Sequence, residues 1–277
     1  MTTTTPLELA ERTEIGAYAG FTAGAPESVR DKLGISALRV GSVLALAIRE
    51  DPSRFFNRAG GFGAHEPITV DLVAQVCDFY RESGVPLGMF MVAPSLFPPD
   101  WAVIAAKLKL TRGSSFVKLG CDVETALSGV DGVEALDAGL RVGLVEPHQA
   151  HEWATVMMTT LGFTPAMIDM AASCVGRPNW RQYAVWEGER IVAVGSVHMH
   201  GGCADMFGGA TLPEARGRGA QSALLTARAR AAQAEGCRWL VAETGAEGAG
   251  AHNTSLHNML RVGFEPLYER VTWLWRA

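Results

Sequence analysis

LPEARGRGAQSALLTARARA, residues 212–231, decides how this chain is read. A proline and a cluster of arginines and glycines run directly into an alanine- and leucine-rich helix. Residues 217–220 present backbone N–H groups at the start of that helix, where they have no intrahelical partner. Gly217 and Gly219 carry no side chain to keep an anion away. The helix dipole, Arg216 and Arg218 all add positive potential. The stretch therefore outlines a pyrophosphate cradle. It is neither a G-x-x-x-x-G-K-[ST] loop nor a G-x-G-x-x-G fingerprint, and a plain strand-to-helix turn with surface arginines would carry the same letters. Its upstream context points to a ligand. Residues 205–211 read as a strand interrupted by Gly208-Gly209, the mark of a bulge or of a ligand passing close to the backbone.

The chain has 277 residues, enough for two ordinary domains. With 48% apolar and 19% charged residues it has the composition of a globular protein. A formal charge of -5 argues against nucleic acid as a partner and mildly favours a cationic or amine-bearing substrate. The five cysteines, Cys77, Cys121, Cys174, Cys203 and Cys237, are scattered and form no C-x-x-C pair. That fits reduced thiols and a cytoplasmic location. The opening MTTTTPLELAERTE lacks the basic and apolar regions of a signal peptide. No window reaches the roughly 18 apolar residues of a membrane helix, so no membrane partner is expected.

In the first half a helix begins near Leu7, and strands are expected at 42–48, 54–60, 87–92 and 115–119. Thr69 and Asp100 are the expected N-caps of helices starting at Val70 and Trp101. From 120 to 139 the texture becomes acidic and glycine-rich, and residues 126–139 are read as a connector. The second half offers a strand at 140–145, helices at 149–161 and 165–172, and hairpins through 181–211. The quoted helix, a strand at 239–243, a helix at 253–261 and a terminal hairpin, 264–270 and 271–275, complete it. The halves repeat each other in pattern: helix, glycine, strand ending on Gly84 and LGMFMV recurs as helix, Gly236 and RWLVAE.

Residues 140–277 resemble the GNAT superfamily of acetyl-CoA-dependent N-acetyltransferases. The resemblance rests on x-L-P-x-x-R-G-x-G at 211–219 and on the Asn-to-Gly-Phe segment NTSLHNMLRVGF at 253–264. The first half resembles the same fold only through its element order. The implied architecture is α/β (α+β): two tandem GNAT-like domains, each a mixed, mostly antiparallel sheet flanked by helices. Residues 1–125 would be a degenerate domain and 140–277 the catalytic one. At an offset of 152 residues Glu66 and Pro67 fall opposite Arg218 and Gly219. A glutamate repels phosphate and a proline offers no N–H, so the first half is expected not to bind acetyl-CoA. Its expected role is to wall the substrate cleft, with Arg54, Phe55, Phe56 and Asn57 in its core and sheet edge.

The resemblance implies transfer of an acetyl group from acetyl-CoA to a primary amine of a small molecule, by direct attack in a ternary complex. The alternative is an acetyl-CoA sensor without turnover. Gly209, Ala210 and Thr211 take the positions that bind the pantetheine arm and polarise the thioester. Arg216, Gly217, Arg218, Gly219, Ala220, Gln221 and Ser222 take the pyrophosphate loop, with Gln221 where the family has Gly or Ala. Gly219 is expected to tolerate proline as a first-turn position. Asn253, with Ser255 and Asn258 as alternatives, takes the pantetheine-binding asparagine. Met259 or Leu260 stands where the family carries a tyrosine acid, which leaves His257, Ser255 or water to protonate the thiolate. Asp205 is the first candidate for the base that deprotonates the amine, and Glu243 the second; a structural ion pair is the bland reading of each. His198, His200 and Cys203 could offer three ligands to zinc, but no fourth is evident and no metal is expected. Trp153, Phe163 and Trp180 fall where acceptor-binding helices lie, with core packing the ordinary role for at least two of them.

Overall fold

The computed structural model describes residues 5–63, 66–129, 132–248, 250 and 252–277. The first half contains α1 (Leu7–Ala23), α2 (Glu27–Leu33), β1 (Ile35–Val40), β2 (Val43–Ile48), β3 (Arg58–Gly60), α3 (Val70–Glu82), β4 (Leu87–Phe90), α4 (Trp101–Lys107), β5 (Thr111–Asp122) and α5 (Val123–Ser128). The second contains β6 (Leu140–Leu144), α6 (Ala150–Thr160), α7 (Ile168–Ala172), β7 (Trp180–Glu187), β8 (Arg190–His200), β9 (Cys203–Asp205), β10 (Ala210–Thr211), α8 (Ala220–Ala234), β11 (Trp239–Gly245), α9 (Thr254–Arg261) and β12 (Glu265–Arg276). The fold is mixed α/β, with one sheet flanked by helices on both faces.

Several sequence expectations change. The strand expected at 54–60 shrinks to Arg58–Gly60, because Arg54 takes a φ of +60° and turns the chain. Asp100 precedes α4 without capping it through its side chain. Thr69 does cap α3: its Oγ1 accepts from Leu72 N at 3.2 Å. The terminal hairpin is instead a single strand, β12, with irregularities at Pro266/Tyr268 and Val271/Trp273. EPLYERVTWLWR holds no glycine, asparagine or aspartate to make the turn, and its β-branched and aromatic residues favour continued extension. Helix α2 and strand β1 were not foreseen.

The strand order is β1-β2-β3-β4-β12-β5-β11-β9-β8-β7-β6, with β10 beside β8. It is nearly symmetric about the β12–β5 pair. In each half a short strand joins a hairpin partner antiparallel and the strand after the next helix parallel: β3 between β2 and β4, β9 between β8 and β11. Each half then gives its last strand away. β5 pairs with β11 of the second half, β12 pairs with β4 of the first, and the two exchanged strands pair with each other.

One face is covered by α1, α6 and α7, whose buried residues join Leu44, Leu46 and Ile48 of β2 and Val194 of β8. On the other face α3 and α4 cover Val43, Ala45 and Ala47, and α8 and α9 cover Val197, Leu240 and Ala242. Covering on both faces explains why β2 reads as an uninterrupted apolar run rather than an alternating one.

A buried charge network sits where the exchanged strands meet α1. Arg270 of β12 donates to Glu11 at 2.8 and 3.1 Å, and also to Glu14 and Glu243. Lys118 of β5 donates to Glu14 at 2.8 Å. Arg58 of β3 lies 4.0 Å from Glu14 and 3.6 Å from Glu243, packed on the rings of Tyr18 (3.9 Å) and Phe55 (4.1 Å). Tyr268 donates to Glu11. Burial opposes ionisation of Glu14, but Arg270 and Lys118 hold its carboxyl far below the usual range. Arg270→Met should therefore strand buried carboxylates and cost about 3–5 kcal/mol. Urea denaturation measures it; a loss below about 1 kcal/mol would mean that the network does not hold the halves together.

Candidate active site

The site begins where two strands part. β9 pairs with β11 through Asp205, opposite Val241, and Met206 N adds one bond to Val241 O at 2.8 Å. Beyond this β11 stays with β5 to Gly245, while β10 stays with β8. Gly208, at φ +63°, makes the bend, and a side chain there would strike Met157. Phe207 O fixes the bend by accepting from Ser196 N at 2.9 Å and Ser196 Oγ at 3.1 Å. Leu212 N donates to Val192 O on β8, so strand alternation turns the Thr211 N–H toward the gap. Gly209, Ala210 and Thr211 thus border an opening in the sheet.

A cavity of 480 Å³ fills this opening. Residues from both faces of the sheet line it. Glu14 and Tyr18 of α1 and Met157 of α6 line one side; Gln221 and Leu225 of α8 and Ser255 and Met259 of α9 line the other. Asp205 and Glu243 lie on its wall. Ser53, Phe55 and Phe56 of the first half line it too, which corrects the assignment of the two phenylalanines to core and sheet edge alone.

At the mouth of the opening stands the start of α8. Gly219 is its N-cap at φ +81°, with no side-chain cap. The N–H groups of Gly217, Arg218, Gly219 and Ala220 donate to no acceptor among the described residues. Gly217 has a φ of +76° and open space where a side chain would be. A Cβ on Gly219 would meet Ala135 O at 2.7 Å. Proline is therefore excluded at Gly219 by its fixed negative φ, contrary to the first-turn expectation. These free donors beside the parted strands suit a pyrophosphate.

The side chains around the cradle are more engaged than their sequence suggests. Arg218 bridges Glu187 at 2.7 Å and Asp137 at 3.2 Å. Arg216 Nε donates to Thr211 O at 3.4 Å. Gln221, where the family has Gly or Ala, donates to Ser255 Oγ at 3.2 Å and accepts from Asn258, so it links α8 to α9. Ser222 is partly buried on the first turn. Asn253 caps α9 by accepting from Ser255 N (3.0 Å) and Leu256 N (3.2 Å), and it donates to Thr244 Oγ1 (2.9 Å) and Gly245 O (2.7 Å). Its amide is spent on holding the helix against the strand.

Asp205 is buried, and burial raises its carboxyl to about 7; Lys118 opposes the rise while Glu14 and Glu243 add to it. Burial raises Glu243 to about 7 as well, against the pull of Arg270. Glu243 is tied to Arg270, whereas Asp205 faces the cavity outside that pairing. Met259 faces the cavity where the family tyrosine would stand, and Leu260 is exposed. His257 is turned to Glu247, 3.0 Å away. Burial keeps His198 neutral, down at about 4, packed on Trp180. His198, His200 and Cys203 do not converge; among the described residues the trio that does is Glu247, His252 and His257. Trp153 and Trp180 are core residues, while Phe163 lines the cavity. Sequence reading missed Glu11, Glu14, Arg58, Lys118 and Arg270. A lysine inside SSFVKLGC and an arginine inside FFNRAG were the available signals.

No helix of the described residues is long and apolar enough to cross a membrane. No curated protein matches the chain by sequence. Residues 148–264 match the profile of the acetyltransferase (GNAT) family. Among solved structures the fold is similar to a GCN5-related N-acetyltransferase from Kribbella flavida, with a TM-score of 0.62 and 16% identity over 97% of this chain and 96% of that one. It is also similar to a tandem GNAT protein from the clavulanic acid biosynthesis pathway, at 0.58 and 17% over 96% and 93%. A GCN5-related N-acetyltransferase from Sphaerobacter thermophilus aligns at 0.58 and 13% over 98% and 95%. With the cradle, the parted strands and the profile on one stretch of chain, residues 148–264 form a domain of the GNAT acetyltransferase family.

Proposed function

We propose that the protein transfers an acetyl group from acetyl-CoA to the primary amine of a small molecule, with one active site per chain in residues 140–277. The observation that carries this reading is the cavity between the parted strands, lined by residues from both faces of the sheet, where donor and acceptor could meet. Acetyl-CoA supplies the activated acetyl group as a thioester. The N–H groups of 217–220 would hold its pyrophosphate, and the gap edge at Gly209, Ala210 and Thr211 would receive the pantetheine arm and orient the thioester. Asp205 would take a proton from the substrate ammonium before the free amine attacks the thioester carbonyl, and the C–S bond would then break with CoA leaving as the thiolate, protonated by water. Phe55, Phe56 and Phe163 would keep water from the cavity.

Residues 1–125 would serve as a wall without a donor site, and 126–139 as the connector. Two features support this. The start of α3 spends a donor on Thr69, whereas α8 has no side-chain cap. Glu66, opposite Arg218 in the repeat, is occupied by Ser42, whose N and Oγ donate to it at 3.3 and 2.9 Å.

Two substitutions at Gly217 test the cradle. Aspartate and asparagine share shape and tolerate positive φ, so the pair differs mainly in charge. Gly217→Asn should leave acetyl-CoA affinity within several-fold of the parent, and Gly217→Asp should lower it at least another tenfold. Equal affinities by calorimetry would make the loop an ordinary turn.

Asp205→Asn tests the base. Turnover should fall about a hundredfold with little change in acetyl-CoA affinity. A base must be ionised, so the parent's kcat/KM should rise with pH up to a limb near 7, where burial places Asp205. That limb should vanish in the variant. An unchanged profile would move the role to Glu243 or to water.

A further inference from the structure

The acceptor side of the cavity has a composition of its own. Its walls are aromatic and come from both halves: Tyr18 and Phe207 lie 5.0 Å apart at 71°, Phe55 and Phe163 5.5 Å apart at 59°, and Phe56 and Phe163 5.4 Å apart at 48°. Phe55 and Phe163 are only partly buried, and Leu161, 44% exposed, forms the rim. The polar groups of the lining are unevenly charged. Glu14, Asp205 and Glu243 face Arg228 as the one cation among the described lining residues. Arg228 is already committed: its Nε donates to Leu224 O at 3.0 Å and its Nη1 to Ser196 O at 3.2 Å. Arg58 lies behind Tyr18 and Phe55 and does not line the cavity.

This arrangement selects against most amines. A polyamine would bury its second ammonium without a free carboxylate partner, and an amino sugar would leave its hydroxyls against phenylalanine rings without partners. A carboxylate-bearing substrate would meet the carboxyl of Asp205, with the one lining cation, Arg228, already bonded to backbone carbonyls. A flat ring, by contrast, finds edge and face contacts along the aromatic walls. A single ammonium finds Asp205, the lining carboxyl that stands outside the ion pairs of Arg58, Lys118 and Arg270.

We infer that the acceptor is a monoamine, with one primary ammonium joined by a short chain to an aromatic or similarly flat apolar group. The inference rests on the acetyltransferase reading of the same site, but amine binding is measurable without turnover.

The test is calorimetry on the full chain with 2-phenylethylamine, spermidine, glucosamine and 3-phenylpropionate, with acetyl-CoA titrated separately. 2-Phenylethylamine should bind at least tenfold tighter than each of the other three, a difference of about 1.4 kcal/mol. Phe163→Ala should weaken that amine about tenfold and leave acetyl-CoA affinity within twofold. Leu161→Lys, at the exposed rim, puts no core at risk and should weaken the amine by charge while leaving binding of 2-phenylethanol unchanged. If acetyl-CoA binds but spermidine or glucosamine matches the aromatic amine, the inference is wrong and the acetyltransferase reading stands. If the aromatic amine binds as expected and acetyl-CoA does not, the pocket assignment stands and the reading of the reaction falls. Rim and ring variants that leave amine affinity unchanged would overturn the inference outright.

Discussion

The guanidinium of Arg270 is shared by Glu11, Glu14 and Glu243, and much of the molecule depends on that contact. These four residues come from the first helix, the strand beside the sheet opening and the last strand of the chain. A buried charge without a partner costs several kcal/mol, so none of these elements can move without exposing another's charge to an apolar core. The network is weak as a source of net stability, because hydrophobic replacements often do as well. It is strong as a constraint on register, and β12 has two irregularities that could otherwise slip.

Strand exchange gives this constraint its reach. Because β12 closes the first half and β5 closes the second, neither half owns a complete sheet. The acceptor side of the cavity is then built by α1 and the 53–56 turn as much as by the second half. A first half without a donor site of its own retains a strong role under the proposed function, since it supplies aromatic walls and places Glu14 beside Asp205.

The same packing sets the chemistry of the candidate bases. Asp205 and Glu243 lie on strands that face α1, and burial raises both to about 7. Their partners separate them: Glu243 is drawn into the Arg270 pair, while Asp205 looks into the cavity. Two carboxyls with similar titration thus have different freedom to accept a proton, which is a matter of geometry.

The glycine-rich, uncapped start of α8 was legible in the sequence by itself, because paired glycines and arginines at a helix start act through neighbours only one to four residues apart. The repeat was legible too, since helix-glycine-strand punctuation is local. So were the caps at Thr69 and the strand positions of Asp205 and Glu243. Tertiary structure alone decided the rest. It made one strand of the expected terminal hairpin, because pairing with β4 and β5 on both edges rewards extension. It tied Gln221 of α8 to Ser255 and Asn258 of α9. It gathered Glu11, Glu14, Arg58, Lys118, Glu243 and Arg270, which lie up to 259 residues apart, into one network. Contacts of such separation leave no periodicity in a single sequence; only the folded sheet, with its strands exchanged, brings those charges within reach of one another.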